Sequence, residues 1–118
     1  MLTDVIINDN IIFMTWKISF FNKKVEEQTL NFPKGILADL FGTLDLIEKY
    51  GPNLGMPYTK PVGDGLFEIR ANGKEGIGRS LFCAIKNKEV VILHSLIKKT
   101  QKLPKKDLEI ARKRMKEI

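Results

Sequence analysis

The sequence predicts an α+β fold, with helices packed on a mostly antiparallel sheet in the order β-α-α-β-β-β-α. Three observations carry this expectation. Apolar residues of the first half recur at three- and four-residue spacing, whereas those from Gly65 onward form short runs divided by turn formers. The last stretch, before Ile118, returns to helical spacing. A period of 3.6 belongs to a half-buried helix and short β-rich runs belong to strands.

The first strand is expected at Trp16 to Phe21 (WKISFF), where β-formers dominate. Asn22 follows as a plausible N-cap for a short helix starting at Lys23. Pro33 then fits the first turn of a second helix. In it Ile36, Leu37, Leu40, Phe41, Leu44 and Ile47 make one stripe, and Gly51-Pro52 ends it. Leu66 to Ala71 reads as the next strand, closed by the pair Asn72-Gly73. Ile77 to Ile85 and Val90 to Ile97 complete a meander around the turn Lys86-Asn87-Lys88-Glu89. The last of these strands is nearly all apolar, which suits a central position covered on both faces. A final helix runs from about Pro104 to Lys116. Its stripe is Leu108, Ala111, Met115 and Ile118, and Arg112, Lys113, Arg114 and Lys116 cover much of the rest.

A length of 118 residues suits one domain, and 43% hydrophobic residues supply its core without staples. Cys83 is the only cysteine, so an intramolecular disulfide and any multi-cysteine metal site are excluded. It alternates with Leu81 and Ile85 and reads as core. No run reaches the ~18 apolar residues of a membrane span. Residues 1–14 lack the basic start and small-residue cleavage site of a secretory signal, so a cytoplasmic location is expected.

The net charge of +6 is unevenly spread. Residues 1–69 hold six Lys/Arg against nine Asp/Glu, a net −3, and residues 70–118 hold fourteen against five, a net +9. Such an asymmetry attracts polyanions, nucleic acid first and anionic membrane second. A membrane role needs bulky apolar anchors on a basic helix, and the last helix offers few.

Several reaction chemistries lack their residues. His94 is the only histidine, so a histidine pair for RNA cleavage cannot form. Glu68, Glu75 and Glu89 have no metal-ligand spacing, and Gly76-Ile77-Gly78 is too short a match for a dinucleotide turn. No metal or other cofactor is expected. What remains is cationic: Arg70 at the end of one strand, Arg79 inside the next, and Lys98, Lys99 and Lys102 after the third. An arginine within an apolar strand must be paired, for instance with Glu68, or solvated in a groove. A lone histidine on an apolar strand is more often packed than catalytic.

With these residues placed, a resemblance emerges. The segments Gly65-Leu66-Phe67-Glu68-Ile69-Arg70, Gly78-Arg79 and His94-Ser95-Leu96-Ile97-Lys98-Lys99-Thr100-Gln101-Lys102-Leu103-Pro104 resemble the phage-derived branch of the RelE/HigB toxins. The similarity spans about residues 15–118 and implies a RelE-like fold in one domain. It further implies the toxin of a type II toxin–antitoxin pair, which cuts mRNA in the A site of the 70S ribosome without metal. In that chemistry a 2′-hydroxyl attacks the adjacent phosphate and cations stabilise the phosphorane. The resemblance assigns Arg70, Arg79 and Lys98 as catalytic, with Arg79 clamping the scissile phosphate. His94, Lys99, Lys102, Arg112, Lys113 and Lys116 would bind RNA. The implied partners are a cognate antitoxin, expected to be a small helix-turn-helix protein, and the ribosome with its mRNA. Residues 1–14 precede the usual family start near Met14-Thr15-Trp16. They are either an extension from an upstream start or an arm that touches the antitoxin. A non-catalytic RNA-binding regulator, or a degenerate toxin on the same fold, would use the same basic face.

Overall fold

β-rich segments and amphipathic segments alternate in the chain much as their periodicity dictates. The computed structural model describes residues 3–7, 10–98 and 102–118. The order is β1 (Thr3–Ile7), β2 (Asn10–Met14), β3 (Lys17–Phe20), α1 (Lys23–Leu30), α2 (Lys34–Tyr50), β4 (Thr59–Gly63), β5 (Leu66–Gly73), β6 (Gly76–Ile85), β7 (Glu89–Lys98) and α3 (Lys105–Met115). β1 and β2 pair antiparallel as a sheet of their own. The other five strands form the main sheet in the order β3-β7-β6-β5-β4. Only the β3–β7 pairing within it is parallel.

The helix starts follow from local chemistry. Asn22 caps α1, its Oδ1 accepting from the Val25 N–H at 2.9 Å. Pro33 precedes α2 and offers no side-chain cap. Gly51, with φ of 92°, ends α2 in a conformation that favours glycine. The β6–β7 turn has Asn87 and Lys88 at positive φ, 64° and 54°.

Two clusters divide the core between the faces of the sheet. α1 and α2 cover one face, where Val25, Ile36, Leu40, Leu44 and Ile47 meet Ile69, Ala71, Phe82, Val90 and Ile92. α3 covers the other, where Ala111 meets Leu66, Leu81, Cys83, Val91 and Leu93. Each such aliphatic side chain contributes about 1.5–3 kcal/mol by leaving water. β7 lies between β3 and β6 and buries both faces, as its apolar run predicts.

The structure departs from the expected elements in four places. β4 has no counterpart among the expected elements; it is the edge strand, where Pro61, which cannot donate to a ladder, is tolerated. The β5–β6 hairpin turns at Lys74-Glu75 rather than Asn72-Gly73, since Gly73 pairs with Gly76. Ile118 is 51% exposed and falls outside the α3 stripe, which Leu103 joins instead. β1 and β2 add a hairpin to the segment that precedes the expected domain.

Candidate nucleic-acid interface

Side chains alternate across a strand, so Leu66, packed under α3, places Glu68 and Arg70 on the same face. Leu81 and Cys83 do the same for Arg79 on β6. The register confirms the convergence, setting Arg70 directly opposite Arg79 and Glu68 opposite Leu81. Both guanidiniums reach the Glu68 carboxylate at 3.6 Å. Formal charges in this trio sum to +1.

Burial separates the two arginines. The Arg79 side chain is 0% exposed and Glu68 3%, whereas Arg70 keeps 25%. A guanidinium withdrawn from water is tolerated only beside a countercharge. Arg79, expected to clamp a phosphate, has its guanidinium buried beside Glu68 inside the protein. Arg70 carries the excess charge to the surface.

β4 supplies a cation that the sequence reading missed. Lys60 pairs with Glu68 across the β4–β5 ladder and so stands on the same face, exposed. The missed strand hid it. Had β4 been recognised, the alternation of buried Thr59 and exposed Lys60 would have assigned the face.

His94 reaches this face through an irregularity. Leu81 pairs with His94 but Phe82 with Ile92, so Leu93 is an extra residue in β7. Leu93 and His94 consequently both meet the α3 side, Leu93 in the apolar cluster and His94 through Asp107. Its Nε2 lies 2.7 Å from Asp107 Oδ1, and Nδ1 is buried. His94, expected to bind RNA, is buried and engaged with Asp107. It ties β7 to the first turn of α3.

α3 is held by two more cations. Arg114 donates to the Leu93 carbonyl at 2.7 Å and its guanidinium lies 5.6 Å from the Phe21 ring centre. Arg112 donates to the Val62 carbonyl at 3.3 Å and lies 3.7 Å from Asp64, with 36% of its side chain exposed. Lys102, Lys113 and Lys116 are exposed. The backbone of Lys98 pairs with Ile77, two positions beyond the Arg79–Leu96 pair. Lys99 lies outside the described residues.

Two other features were weighed as sites. A depression between β3 and α1, lined by Ile18, Ser19, Phe20, Asn22, Lys23 and Glu26, balances one cation against one acid. Cys83 sits in the α3 cluster, where burial pushes its thiol pKa up and suppresses the reactive thiolate. No helix among the described residues is long and apolar enough to cross a membrane.

Comparison with known proteins supports the fold described above. Residues 27–116 match the family described as phage-derived protein Gp49-like. The fold is similar to the crystal structure of the archaeal RelE–RelB complex from Pyrococcus horikoshii OT3. That match has a TM-score of 0.52 and 22% identity, over 71% of this chain and 96% of that one. No curated protein matches by sequence.

Proposed function

The chain belongs to the phage-derived Gp49-like family, a family of RelE-type toxins, and we propose that it cuts mRNA on the ribosome as the toxin of a toxin–antitoxin pair. The observation that carries the reading is the Glu68–Arg70–Arg79 trio, which delivers net positive charge to the surface at Arg70 beside Lys60. In this reading the RNA 2′-hydroxyl loses its proton and attacks the adjacent phosphorus. The bond to the 5′-oxygen breaks, leaving a 2′,3′-cyclic phosphate and a protonated 5′-hydroxyl. Arg70 donates to the phosphorane oxygens, where developing charge makes a preorganised donor most effective. Lys98 and Lys60 add positive charge, and buried Arg79 holds Glu68 so that Arg70 keeps its orientation. Exposed Lys102, Lys113 and Lys116, with Lys99 and half-exposed Arg112, attract the ribosomal RNA backbone. The likeness to a RelE–RelB complex supports an antitoxin partner, and a cytoplasmic site of action follows from the ribosome.

The experiment is induction in bacteria with mapping of mRNA 5′ ends. Wild-type protein should arrest growth and produce cuts that depend on translation. Arg70→Ala, still folded by circular dichroism, should cut about 10²–10³-fold more slowly, the effect of removing one oxyanion donor. The burial of Arg79 and the engagement of His94 favour one rival, a non-catalytic RNA binder on the same face. Unchanged growth and unchanged mRNA ends on wild-type induction would select it.

A further inference from the structure

One residue in β7 decides which side of the sheet the end of that strand serves. Pairing with β6 joins Phe82 to Ile92 but Leu81 to His94, so Leu93 is inserted between two consecutive rungs. Beyond it the ladder is regular, with Ser95 on Ser80, Leu96 on Arg79 and Lys98 on Ile77. Directly paired residues share a face, so the Leu96 and Lys98 positions take the parity of Arg79, the side of Glu68 and Arg70. Had Leu93 paired with Leu81 in a regular ladder, Ser95 would lie on Arg79 and Ile97 on Ile77. Lys98 would then fall on Gly76, on the opposite parity. The side chains around the insertion agree. Leu93 lies in the α3 cluster, His94 reaches Asp107 of α3, and Ser95 turns to Thr29 of α1.

A bulge takes backbone groups out of the ladder, and a buried carbonyl needs a donor. Arg114 supplies one: its Nη1 donates to the carbonyl of the buried Leu93 at 2.7 Å, a charge-assisted bond. The same guanidinium lies 5.6 Å from the Phe21 ring centre, so the donor is itself fixed. Asp107, the partner of His94, is in the first turn of α3 and Arg114 in the last. One helix thus grips both residues at the insertion.

We propose that Arg114 is a positioning residue for RNA cleavage: its bond to the Leu93 carbonyl locks the insertion that places Lys98 on the side of Arg70 and Arg79. The inference rests on the cleavage reading above and assigns it a residue that acts through Lys98.

Two measurements on the full chain separate this role from that reading. Nuclear Overhauser contacts between β6 and β7 read the register without RNA. Wild type should show Ile77 opposite Lys98 and Arg79 opposite Leu96. Arg114→Met keeps the packed stem and removes the donor. In it, still folded by circular dichroism, those contacts should be lost or shifted by one residue, while Phe82 stays opposite Ile92. Translation-dependent mRNA cleavage is the second readout. Arg114→Met should slow it about 10²-fold, the cost of a displacement of about 1 Å. Adding Lys98→Ala should then slow it no further than Lys98→Ala alone. Deletion of Leu93 supplies a second test, since it removes the insertion and keeps every other rung; in that background Arg114→Met should cost cleavage nothing. An unshifted register in Arg114→Met, or losses for Arg114→Met and Lys98→Ala that multiply, would overturn the positioning role. A shifted register with undiminished cleavage would overturn it too. Absence of cleavage by wild type would overturn the cleavage reading and the role with it, and the register contacts would still show whether Arg114 locks the strand.

Discussion

The two faces of the main sheet are built by different rules. Under α1 and α2 the core is apolar, and three of its buried hydroxyls form a completed chain. Thr29 Oγ1 donates to the Val25 carbonyl at 2.8 Å, so the Ser95 hydroxyl 2.6 Å away donates to Thr29, and that of Ser80, at 2.9 Å, to Ser95. Each hydroxyl hydrogen there has an acceptor. Under α3 the apolar patch gives way to Glu68, Arg70 and Arg79, whose charges are held at ion-pair distance within the protein, and to His94, bonded to Asp107. Replacing such a set by packed apolar groups is often neutral or stabilising, so its presence is weak evidence for stability. The difference teaches that the α1/α2 face makes the fold, whereas the α3 face holds charges that stability alone does not call for.

That contrast can be broken most forcefully at the buried pair. Arg79→Ala should lower stability by about 3–5 kcal/mol, since it strands the Glu68 carboxylate without its buried partner. Urea denaturation measures the loss. The double variant Glu68→Leu/Arg79→Met should recover most of it while abolishing growth arrest, because Arg70 then has no carboxylate to orient it. A double variant as unstable as the single one would make the pair structural and dissolve the contrast. This is also why Arg70, not Arg79, is the informative catalytic substitution: loss of toxicity in Arg79→Ala would not separate chemistry from folding.

The opposite face should respond to packing. A Cβ on Gly73 would lie 2.6 Å from the Ile36 nitrogen, 2.7 Å from a Glu75 carboxylate oxygen and 2.8 Å from the Gly35 carbonyl carbon, and the two backbone atoms cannot swing aside. Gly73→Ala should therefore cost about 1–3 kcal/mol by overpacking. RNA binding measured under folding conditions should stay as in wild type. A loss of RNA affinity in the folded variant would show that the two faces are coupled.

Much of the fold was legible because most elements of the main domain have a period. The α2 stripe and the three long strands follow from spacing, and the family segments added the RelE-like arrangement. The α3 face was half legible. Arg70 and Arg79 were recognisable as neighbours of one sheet, yet alternation says which side a residue faces and nothing of how deeply a helix covers it. The bulge at Leu93 left no trace in VVILHSL, where every residue but His94 and Ser95 is apolar, so the aim of His94 could not be read. Lys60 was hidden by Pro61, which argues against a strand except at an edge, and edges are a property of the assembled sheet.

The smallest expected effect sharpens the comparison at the border of the α2 face, where a charge does structural work. Pro33 gives α2 no side-chain cap, and Glu75, from the β5–β6 turn, takes that place by accepting from the Gly35 N–H at 3.1 Å. That bond, then one from its own backbone, holds the Glu75 carboxyl below its usual pKa of 4.5. A depressed folded pKa means that the ionised form is favoured by folding. The contribution is complete above pH 4.5, where both folded and unfolded chains are ionised, and is lost as the pH falls through the folded pKa. Glu75→Gln should thus melt slightly below wild type at pH 7, and the gap in Tm should close in acid. A gap that persisted unchanged well below pH 4.5 would assign the role to the shape of the side chain rather than its charge. Its closure would show that charge on the α1/α2 side serves a helix end, in contrast to the α3 side, where the Glu68–Arg70–Arg79 trio keeps a net positive charge.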